Sequence, residues 1–154
     1  MRIALHQPEI AGNVGTILRL AACLGIGVDV IEPCGFAFGD RALARAGMDY
    51  AERAAVTRHA DWAAFRATTL GGSAPPRLML FTTAGDHRLP DAIFREDDVL
   101  LFGSESAGVP AHVHDAADAR LRIPIAADAR SLNLATAVAI AAGEALRQTG
   151  GWPA

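Results

Sequence analysis

A single arginine, Arg19, interrupts the otherwise apolar and small-residue stretch GNVGTILRLAACLGIG over residues 12–27. The stretch has the composition of a buried helix, where an unpaired guanidinium would cost several kcal/mol, on the order of the penalty for a buried charge. Arg19 must therefore reach a partner, solvent or a bound anion. Because guanidinium groups suit bidentate contacts with phosphate, binding of a phosphorylated ligand is one chemistry open to this residue.

Three other segments combine small and polar residues where a ligand could approach the backbone closely. TTAGD follows the apolar run LMLF, GSESAGVP follows DVLLF, and AADARSLNLATAVAI follows LRIPI. Ligands of open parallel sheets bind beyond the carboxyl ends of the strands, where these segments would lie. Each segment alone is equally typical of an ordinary turn, so the interpretation depends on all three. In the third segment, Ser131 is predicted to cap the last helix.

Several kinds of active site are excluded or disfavoured. All 14 basic residues are arginine, and without lysine a Schiff-base enzyme, a lysine nucleophile or a P-loop is impossible. Ser104 stands where a nucleophile elbow needs glycine, and no histidine follows His114 to complete a serine triad. HVH at residues 112–114 lacks a well-placed third ligand, so we expect no metal. No G-x-G-x-x-G motif follows a strand and opens a helix.

The composition favours one globular domain in the cytoplasm. Of the 154 residues, 51% are hydrophobic and 20% charged, which allows about two thirds of the unfolded surface to be buried. No apolar run reaches the ~18 residues that span a bilayer, and no signal peptide precedes IALHQP, so we expect no membrane association. Cys23 and Cys34 form no CxxC motif and are interpreted as small core or turn residues.

The net charge is −3, but basic residues are concentrated in one segment. Between residues 40 and 66, five arginines outnumber four acidic residues; these arginines are Arg41, Arg45, Arg53, Arg58 and Arg66. An acidic protein can bind RNA through such a local patch, and a solvated mixed-charge face is the alternative.

Short β-like runs alternate with helical segments along the chain. The predicted strands are RIALHQ, VDVIEP, AAVTRH, RLMLFTT, DVLLFG and ARLRIPI. LMLF and VLLF are continuously apolar, which is typical of strands covered on both faces in a mainly parallel sheet. We therefore predict an α/β fold with helices on both sides of the sheet, and LGGSAPP at residues 70–76 as a helix-to-strand connection.

Three motifs, in this order, resemble those of the SPOUT class of RNA ribose methyltransferases: PEIAGNVGTILRLAACLG, LLFGSESAGVP and RIPIAADARSLNLATAVAIAAGEALRQTG. GFAFGDRALARAGMDY followed by AVTRHADWAAF is similar to the small TrmL (YibK-type) subgroup, which methylates the ribose 2′-hydroxyl of the wobble nucleotide of certain tRNAs. The resemblance extends from Arg2 to about Gly150. It implies one SPOUT domain over residues 1–154 with a C-terminal trefoil knot, a homodimer, tRNA rather than DNA as substrate, and S-adenosylmethionine as methyl donor.

The resemblance also implies the functional residues. The family's catalytic positions correspond to Arg19, Asn13, Glu105, Ser131 and Asn133, and its cofactor-binding positions to Phe81, Thr82, Gly103, Gly108, Ile123, Ser131 and Leu132. Plain core packing is the alternative for Phe81, Ile123 and Leu132. Ser104 and Ala107 stand where relatives often have proline and arginine.

Asn13 and Arg19 favour a site shared between two subunits. Six residues of helix rotate by about 600°, which leaves the two side chains about 120° from a shared face. We expect Asn13 to cap its helix beside one site, and Arg19 to cross the interface toward the partner's cofactor, as the family implies. The helix around Arg19 and the helix LNLATAVAIAAGEAL are apolar on nearly every side, which predicts burial all round and favours a dimer.

The implied reaction is attack of a ribose hydroxyl on the methyl group of a sulfonium. A guanidine is effectively always protonated, so we interpret Arg19 as an anchor for a phosphate and the developing alkoxide rather than as a base. Glu105, Ser131 and Asn133 are expected to orient the hydroxyl, the methionine part of the cofactor, or Asn13. The alternatives are a related enzyme acting on another tRNA or rRNA ribose, and a non-catalytic RNA-binding dimer.

Overall fold

The computed structural model describes residues 1–37 and 55–154. The strands in these ranges are β1 (Arg2–His6), β2 (Gly27–Ile31), β3 (Val56–His59), β4 (Leu78–Phe81), β5 (His87–Arg88), β6 (Val99–Phe102) and β7 (Ala119–Arg122). The helices are α1 (Ala11–Leu24), α2 (Trp62–Thr69), α3 (Ala111–Asp115) and α4 (Leu134–Thr149), with a 3-10 turn over Leu89–Asp91. Three arginines of the predicted basic segment, Arg41, Arg45 and Arg53, lie outside the described residues.

The six strands predicted from the sequence are confirmed. The connection at residues 70–76 joins α2 to β4, also as predicted. The sequence does not predict β5, because its two residues, His87 and Arg88, are exposed and carry no apolar pattern.

The strands form one parallel sheet in the order β3-β2-β1-β6-β4-β7-β5. The pairing register aligns the carboxyl ends of four neighbouring strands. Phe102 of β6 pairs with Leu5 of β1 on one side and with Phe81 of β4 on the other, and Phe81 pairs with Leu121 of β7. The segments that follow these strands therefore leave the sheet along the same edge.

Apolar side chains from both faces of the sheet are buried, as the continuous apolar runs predict. On one face, Ile3 and Leu100 belong to a cluster that includes the buried residues of α1 and α4. On the other face, Leu101 belongs to a cluster with Phe65 of α2 and Val113 of α3. Because successive strand residues point to opposite faces, a continuously apolar strand contributes to both clusters. Helices therefore cover both sides of the sheet.

The two helices α1 and α4 pack against each other, but each has an uncovered side. Exposed residues of α1 recur at the spacing of one helix face, at Gly12, Thr16, Arg19 and Cys23. On α4, Ile140 is 41% exposed. A single subunit therefore does not bury these helices all round, and the core position predicted for Cys23 is wrong in it. Both cysteines are free thiols.

No helix within residues 1–37 or 55–154 combines the length and the apolar character needed to cross a membrane.

Candidate active site

A cavity of about 670 Å³ opens at the carboxyl edge of the sheet, among the segments that follow β4, β6 and β7 and the start of α1. Its size lies within the range of small-molecule and cofactor sites. Ten of the eleven residues implied by the family resemblance line it: Asn13, Phe81, Thr82, Gly103, Glu105, Gly108, Ile123, Ser131, Leu132 and Asn133. The three motifs, far apart in sequence, thus meet at one place.

Arg19 is the eleventh residue, and it lies outside the cavity lining. It is exposed on α1, whereas Asn13, six residues earlier, lines the cavity. The divergence agrees with the angle of about 120° expected from helix geometry. Within one chain, the structure therefore does not bring Arg19 together with the other site residues.

Three side chains at the cavity form a directed chain of hydrogen bonds, which we call the amide relay: Glu105, Asn13 and Asn133. Asn13 Nδ2 donates to Glu105 Oε1 at 2.8 Å, and Asn133 Nδ2 donates to Asn13 Oδ1 at 2.9 Å. An ionised carboxylate can only accept hydrogen bonds, so the amide of Asn13 must turn its Nδ2 toward Glu105 and its Oδ1 away from it. That Oδ1 in turn requires the Nδ2 donor of Asn133. The relay holds one residue from each of the three motifs in a single orientation.

The amide relay ends at the start of α4, where Asn133 is the helix cap. Its Oδ1 accepts from the backbone N–H groups of Ala135, at 2.9 Å, and Thr136, at 3.3 Å. The prediction that Ser131 caps this helix is therefore wrong. Ser131 lies two residues earlier and is exposed at the cavity. Asparagine satisfies the cap as well as serine does, and it also supplies an amide donor for the relay.

The predicted capping role of Asn13 is also wrong, because α1 is capped from a distant loop. The residue at the cap position is Ile10, whose side chain makes no capping hydrogen bond. Glu105 supplies the acceptors instead: its Oε2 accepts from Glu9 N at 2.8 Å and its Oε1 from Ile10 N at 3.3 Å. A carboxylate at a helix N-terminus also interacts favourably with the helix dipole. Because Glu105 caps the helix, the amide of Asn13 bonds to Glu105 and Asn133 instead.

A second carboxylate, which the sequence analysis does not identify, joins the same two segments. Glu9 accepts from Ser106 twice, from its hydroxyl at 2.6 Å and from its backbone N–H at 2.9 Å. Glu9 and Glu105 therefore clamp the segment after β1 and the loop after β6 to each other from both sides. The only local signal for Glu9 is an acid placed directly after a strand, which is also typical of a solvated turn.

The loop after β6 closes on itself and requires two glycines. Ser104 N donates to Gly108 O, and Gly108 N donates to Ser104 O, each at 2.9 Å. A Cβ atom on Gly103 would lie 2.3 Å from the carbonyl carbon of Gly108, which no side chain can tolerate. Gly108 has a φ of 67°, in the region that favours glycine. The close approach expected at Gly103 is thus made by the loop's own backbone.

The apolar lining combines core residues with an exposed edge. Phe81 is 8% exposed and stacks on Phe102 with ring centroids 4.8 Å apart, so core packing accounts for its side chain. Ile123 is half-buried and packs against the same core cluster. Leu132 is 36% exposed and does not belong to the core. The cavity therefore offers a rigid aromatic floor and a more open apolar rim, which together suit a flat ring such as adenine.

Among the residues that the structure describes, three ionisable side chains line the cavity: Glu105, His114 and Arg130. Arg120 Nε donates to His114 Nδ1 at 2.9 Å, so the neutral imidazole carries its proton on Nε2. The sequence assigns no role at this site to His114 or Arg130. Within the described residues, no three His, Cys, Asp or Glu side chains are placed to hold a metal ion.

Comparison with known proteins gives consistent matches over almost the whole chain. The model of the SpoU rRNA Methylase family matches residues 1–143. A tRNA (cytidine(34)-2'-O)-methyltransferase from Beijerinckia indica is 51% identical over 148 residues, which cover 96% of this chain and 91% of that protein. A solved structure from work on the 2-OH methylation of C/U34 on tRNA has a TM-score of 0.89 and 42% identity, covering 96% of this chain and 94% of that chain.

The fold extends to larger enzymes. The AdoMet-bound rRNA methyltransferase of Sinorhizobium meliloti has a TM-score of 0.83 and 31% identity, over 95% of this chain and 55% of that chain. The predicted fold class, a parallel α/β sheet with a C-terminal trefoil knot, is confirmed by these neighbours. The resemblance to the SPOUT class is confirmed as well. On the combined match of sequence and fold, the chain belongs to the SpoU rRNA methylase family.

Proposed function

We propose that this protein transfers a methyl group from S-adenosylmethionine to the ribose 2′-hydroxyl of the wobble nucleotide of tRNA, a cytidine or modified uridine at position 34. The observation that carries the proposal is the convergence of all three family motifs on one cavity. The relatives described above, whose names specify this reaction, support the choice of substrate. A single domain over residues 1–154, acting in the cytoplasm, would carry the whole activity.

The cavity fits S-adenosylmethionine by its size and by the chemistry of its lining. When bound, this cofactor supplies a methyl group on a positively charged sulfur, and S-adenosylhomocysteine is the product. The residues that would hold it are Phe81, Thr82, Gly103, Gly108, Ile123, Ser131 and Leu132. Backbone groups of the closed loop after β6 and the apolar floor and rim would make most of the contacts. The reaction requires no metal.

Ser131 has its hydroxyl available for a ligand. It is exposed at the cavity, and no residue in the described ranges hydrogen-bonds to its side chain. The members of the amide relay, in contrast, bond to one another. Asn13, Glu105 and Asn133 therefore hold the three motif segments in position, and Ser131 orients the hydroxyl or the methionine part of the cofactor.

Arg19 reaches the reacting atoms only in a homodimer. The helices α1 and α4 pack against each other, and their exposed residues include Thr16 and Cys23 on either side of Arg19 on α1, and Ile140 on α4. Two copies joined through these exposed residues would bury Ile140 and Cys23 and bring Arg19 to the partner's cavity. There its guanidinium would hold a phosphate and stabilise the alkoxide that forms as the hydroxyl is attacked.

Incubation of the purified protein with isotopically labelled S-adenosylmethionine and tRNA lacking this modification tests the proposal. We expect label at the ribose of nucleotide 34, located by mass spectrometry of nuclease fragments, and no loss of activity in EDTA. Label on another tRNA or rRNA ribose would instead support a related methyltransferase that acts on that nucleotide. Binding of RNA without any transfer would support a non-catalytic RNA-binding dimer.

A further inference from the structure

Arg130 places a positive charge at the cavity that no described residue neutralises. It is exposed in the segment between β7 and α4 and contributes to the cavity lining. No residue within 1–37 or 55–154 forms an ion pair or hydrogen bond with its side chain. Glu105, the acid that lines the same cavity, is already bonded to Glu9 N, Ile10 N and Asn13 Nδ2.

Other arginines near the sheet have structural partners. Arg77 binds both carboxylate oxygens of Asp98 at 2.9 and 2.7 Å, and Arg122 donates to Gly85 O at 2.8 Å. Their guanidinium groups hold strands and turns together. Arg130 has no such task among the described residues, so its five donors are available to a ligand.

The ligand follows from the chemistry of the proposed reaction. In a polynucleotide, the 2′-hydroxyl and the 3′-phosphate are attached to neighbouring carbons of the ribose. Any pose that brings the 2′-hydroxyl to the cavity therefore brings the 3′-phosphate to its rim. A guanidinium binds a phosphate with two parallel hydrogen bonds, and the pair is stronger than a neutral hydrogen bond.

We infer that Arg130 binds the phosphate on the 3′ side of the nucleotide that is methylated. The inference rests on the proposed function and adds a substrate contact from the same subunit that holds the cofactor. Arg19 and Arg130 then have separate tasks. Arg19 comes from the partner and acts on the oxygen that is methylated, so its loss lowers the rate. Arg130 acts on the neighbouring phosphate, so its loss weakens the binding of tRNA.

The test combines a protein variant with a change of one atom in the RNA. A tRNA assembled by ligation carries 2′-deoxyribose at nucleotide 34 and, on its 3′ side, either a phosphate or a methylphosphonate. The methylphosphonate removes one negative charge, and the missing 2′-hydroxyl prevents cleavage of the neutral linkage. Binding to wild type and to Arg130→Ala is measured with S-adenosylhomocysteine present, at several salt concentrations. Arg95→Ala is the matched control, because Arg95 is exposed and lies before β6, at the opposite edge of the sheet.

We expect Arg130→Ala to weaken the binding of the tRNA with the phosphate by about tenfold. The slope of log affinity against log salt concentration should become shallower by about 1, as for the loss of one phosphate contact. The methylphosphonate should weaken wild type by a similar factor and leave Arg130→Ala almost unaffected. Arg130→Lys should recover only part of the loss, because it keeps the charge without the planar fork. Affinity for S-adenosylhomocysteine should not change, and Arg95→Ala should behave as wild type.

Three results would overturn the inference: independent losses from the variant and the methylphosphonate, equal behaviour of Arg130→Ala and Arg95→Ala, or weaker cofactor binding by Arg130→Ala. The last would assign Arg130 to the cofactor's carboxylate. In each case, wild-type methylation of nucleotide 34 leaves the proposed function intact. A wild-type protein that methylates no ribose contradicts the proposed function and this inference together.

Discussion

Two polar clusters in this protein are each built around a carboxylate, but they have different consequences for the molecule. The first, which we call the ionic cluster, joins Arg2, Asp29 and His59 across β1, β2 and β3. Arg2 Nε lies 2.6 Å from Asp29 Oδ2, and His59 Nε2 lies 2.8 Å from Asp29 Oδ1. Asp29 and His59 are almost completely buried, and none of the three residues lines the cavity. The second is the amide relay of Glu105, Asn13 and Asn133.

The clusters differ in the hydrogen-bonding groups that each leaves without a partner. In the ionic cluster, both oxygens of Asp29 are bonded to side chains of the same chain. In the amide relay, Asn13 and Asn133 each use one of their two amide N–H groups within the described residues, and both line the cavity. A saturated buried cluster stabilises the fold, whereas a cluster with spare donors at a cavity can also meet a ligand. Substitutions in the two clusters should therefore affect different measurements.

The largest effect on folding is predicted for Asp29→Ala. Removal of the carboxylate leaves buried His59 and the partly exposed Arg2 without their partner. We expect a loss of about 3 kcal/mol in the free energy of unfolding, at the low end for a broken buried pair because Arg2 can turn toward solvent. Urea titration followed by circular dichroism measures this loss, and methyl transfer per folded molecule should not change.

Asp91→Ala is the control for this comparison, because Asp91 belongs to an exposed pair, 3.9 Å from Arg88. It should change the stability by less than about 0.5 kcal/mol. If the two variants lose equal stability, the ionic cluster has no special structural role. If Asp29→Ala loses activity while it stays folded, the separation between the two clusters fails.

Arg19→Ala should have the largest effect on catalysis. We expect methyl transfer to fall by about 100-fold, the scale for loss of one preorganised charge stabiliser, with little change in cofactor affinity or stability. Arg19→Lys should restore little of the lost methyl transfer, because an ammonium group cannot make the two parallel hydrogen bonds of a guanidinium. Single-turnover rates at saturating tRNA measure the loss, and calorimetry with S-adenosylhomocysteine checks the binding.

Mixed dimers decide whether Arg19 acts on the partner's cavity. The second variant is Gly103→Val, which cannot close the loop after β6 and should not bind cofactor. If Arg19 serves the partner, a mixed dimer has one site with both defects and one site with neither, so activity returns on mixing. Mixed dimers seen by native mass spectrometry but without activity would assign Arg19 to its own subunit.

The strands could be predicted from their apolar runs, and three loops of the cavity from their places directly after strands whose ends the parallel register brings together. The individual cavity residues are predicted only through the family resemblance. The caps could not be predicted, because Glu105 serves α1 from 95 residues away in sequence. Glu9 was missed for the same reason, since its partner Ser106 lies 97 residues away. The knot has no local signature either, and it was predicted only through the family resemblance.

Replacement of one amide donor of the relay by a carboxylate should have an intermediate effect. Asn13→Asp keeps the shape of the side chain but places a second carboxylate against Glu105, where an amide donor was 2.8 Å away. We expect about tenfold weaker cofactor binding at pH 8, because two adjacent carboxylates repel each other. One of the pair should then have a raised pKa and take up a proton as the pH falls. Calorimetry with S-adenosylhomocysteine should therefore show partial recovery near pH 5 in the variant and no such gain in wild type.

The smallest effect concerns a buried polar group that belongs to neither cluster, His6. Its Nδ1 atom has no hydrogen-bond partner among the described residues. Burial, together with the nearby His112, lowers the pKa of His6 below its ordinary value of 6.5. The unfolded chain therefore takes up a proton at a higher pH than the folded protein does. The contribution of His6 to the free energy of unfolding is complete above pH 6.5. Below pH 6.5 it falls by at most about 1.4 kcal/mol per pH unit, until the pH reaches the pKa of His6 in the folded protein.

His6→Phe isolates this contribution, because it keeps the edge-on aromatic contact with Trp62, whose ring centroid lies 6.0 Å from that of His6, and removes the titrating group. Between pH 7 and pH 5, wild type should lose more stability than His6→Phe, as measured by urea titration at each pH. His87→Phe is the matched control: His87 is exposed, and its loss should leave the pH dependence of wild type unchanged. Parallel pH curves for wild type and His6→Phe would show that the unpartnered imidazole titrates in the folded protein as it does in the unfolded chain. The loss of stability between pH 7 and pH 5 would then come from groups other than His6.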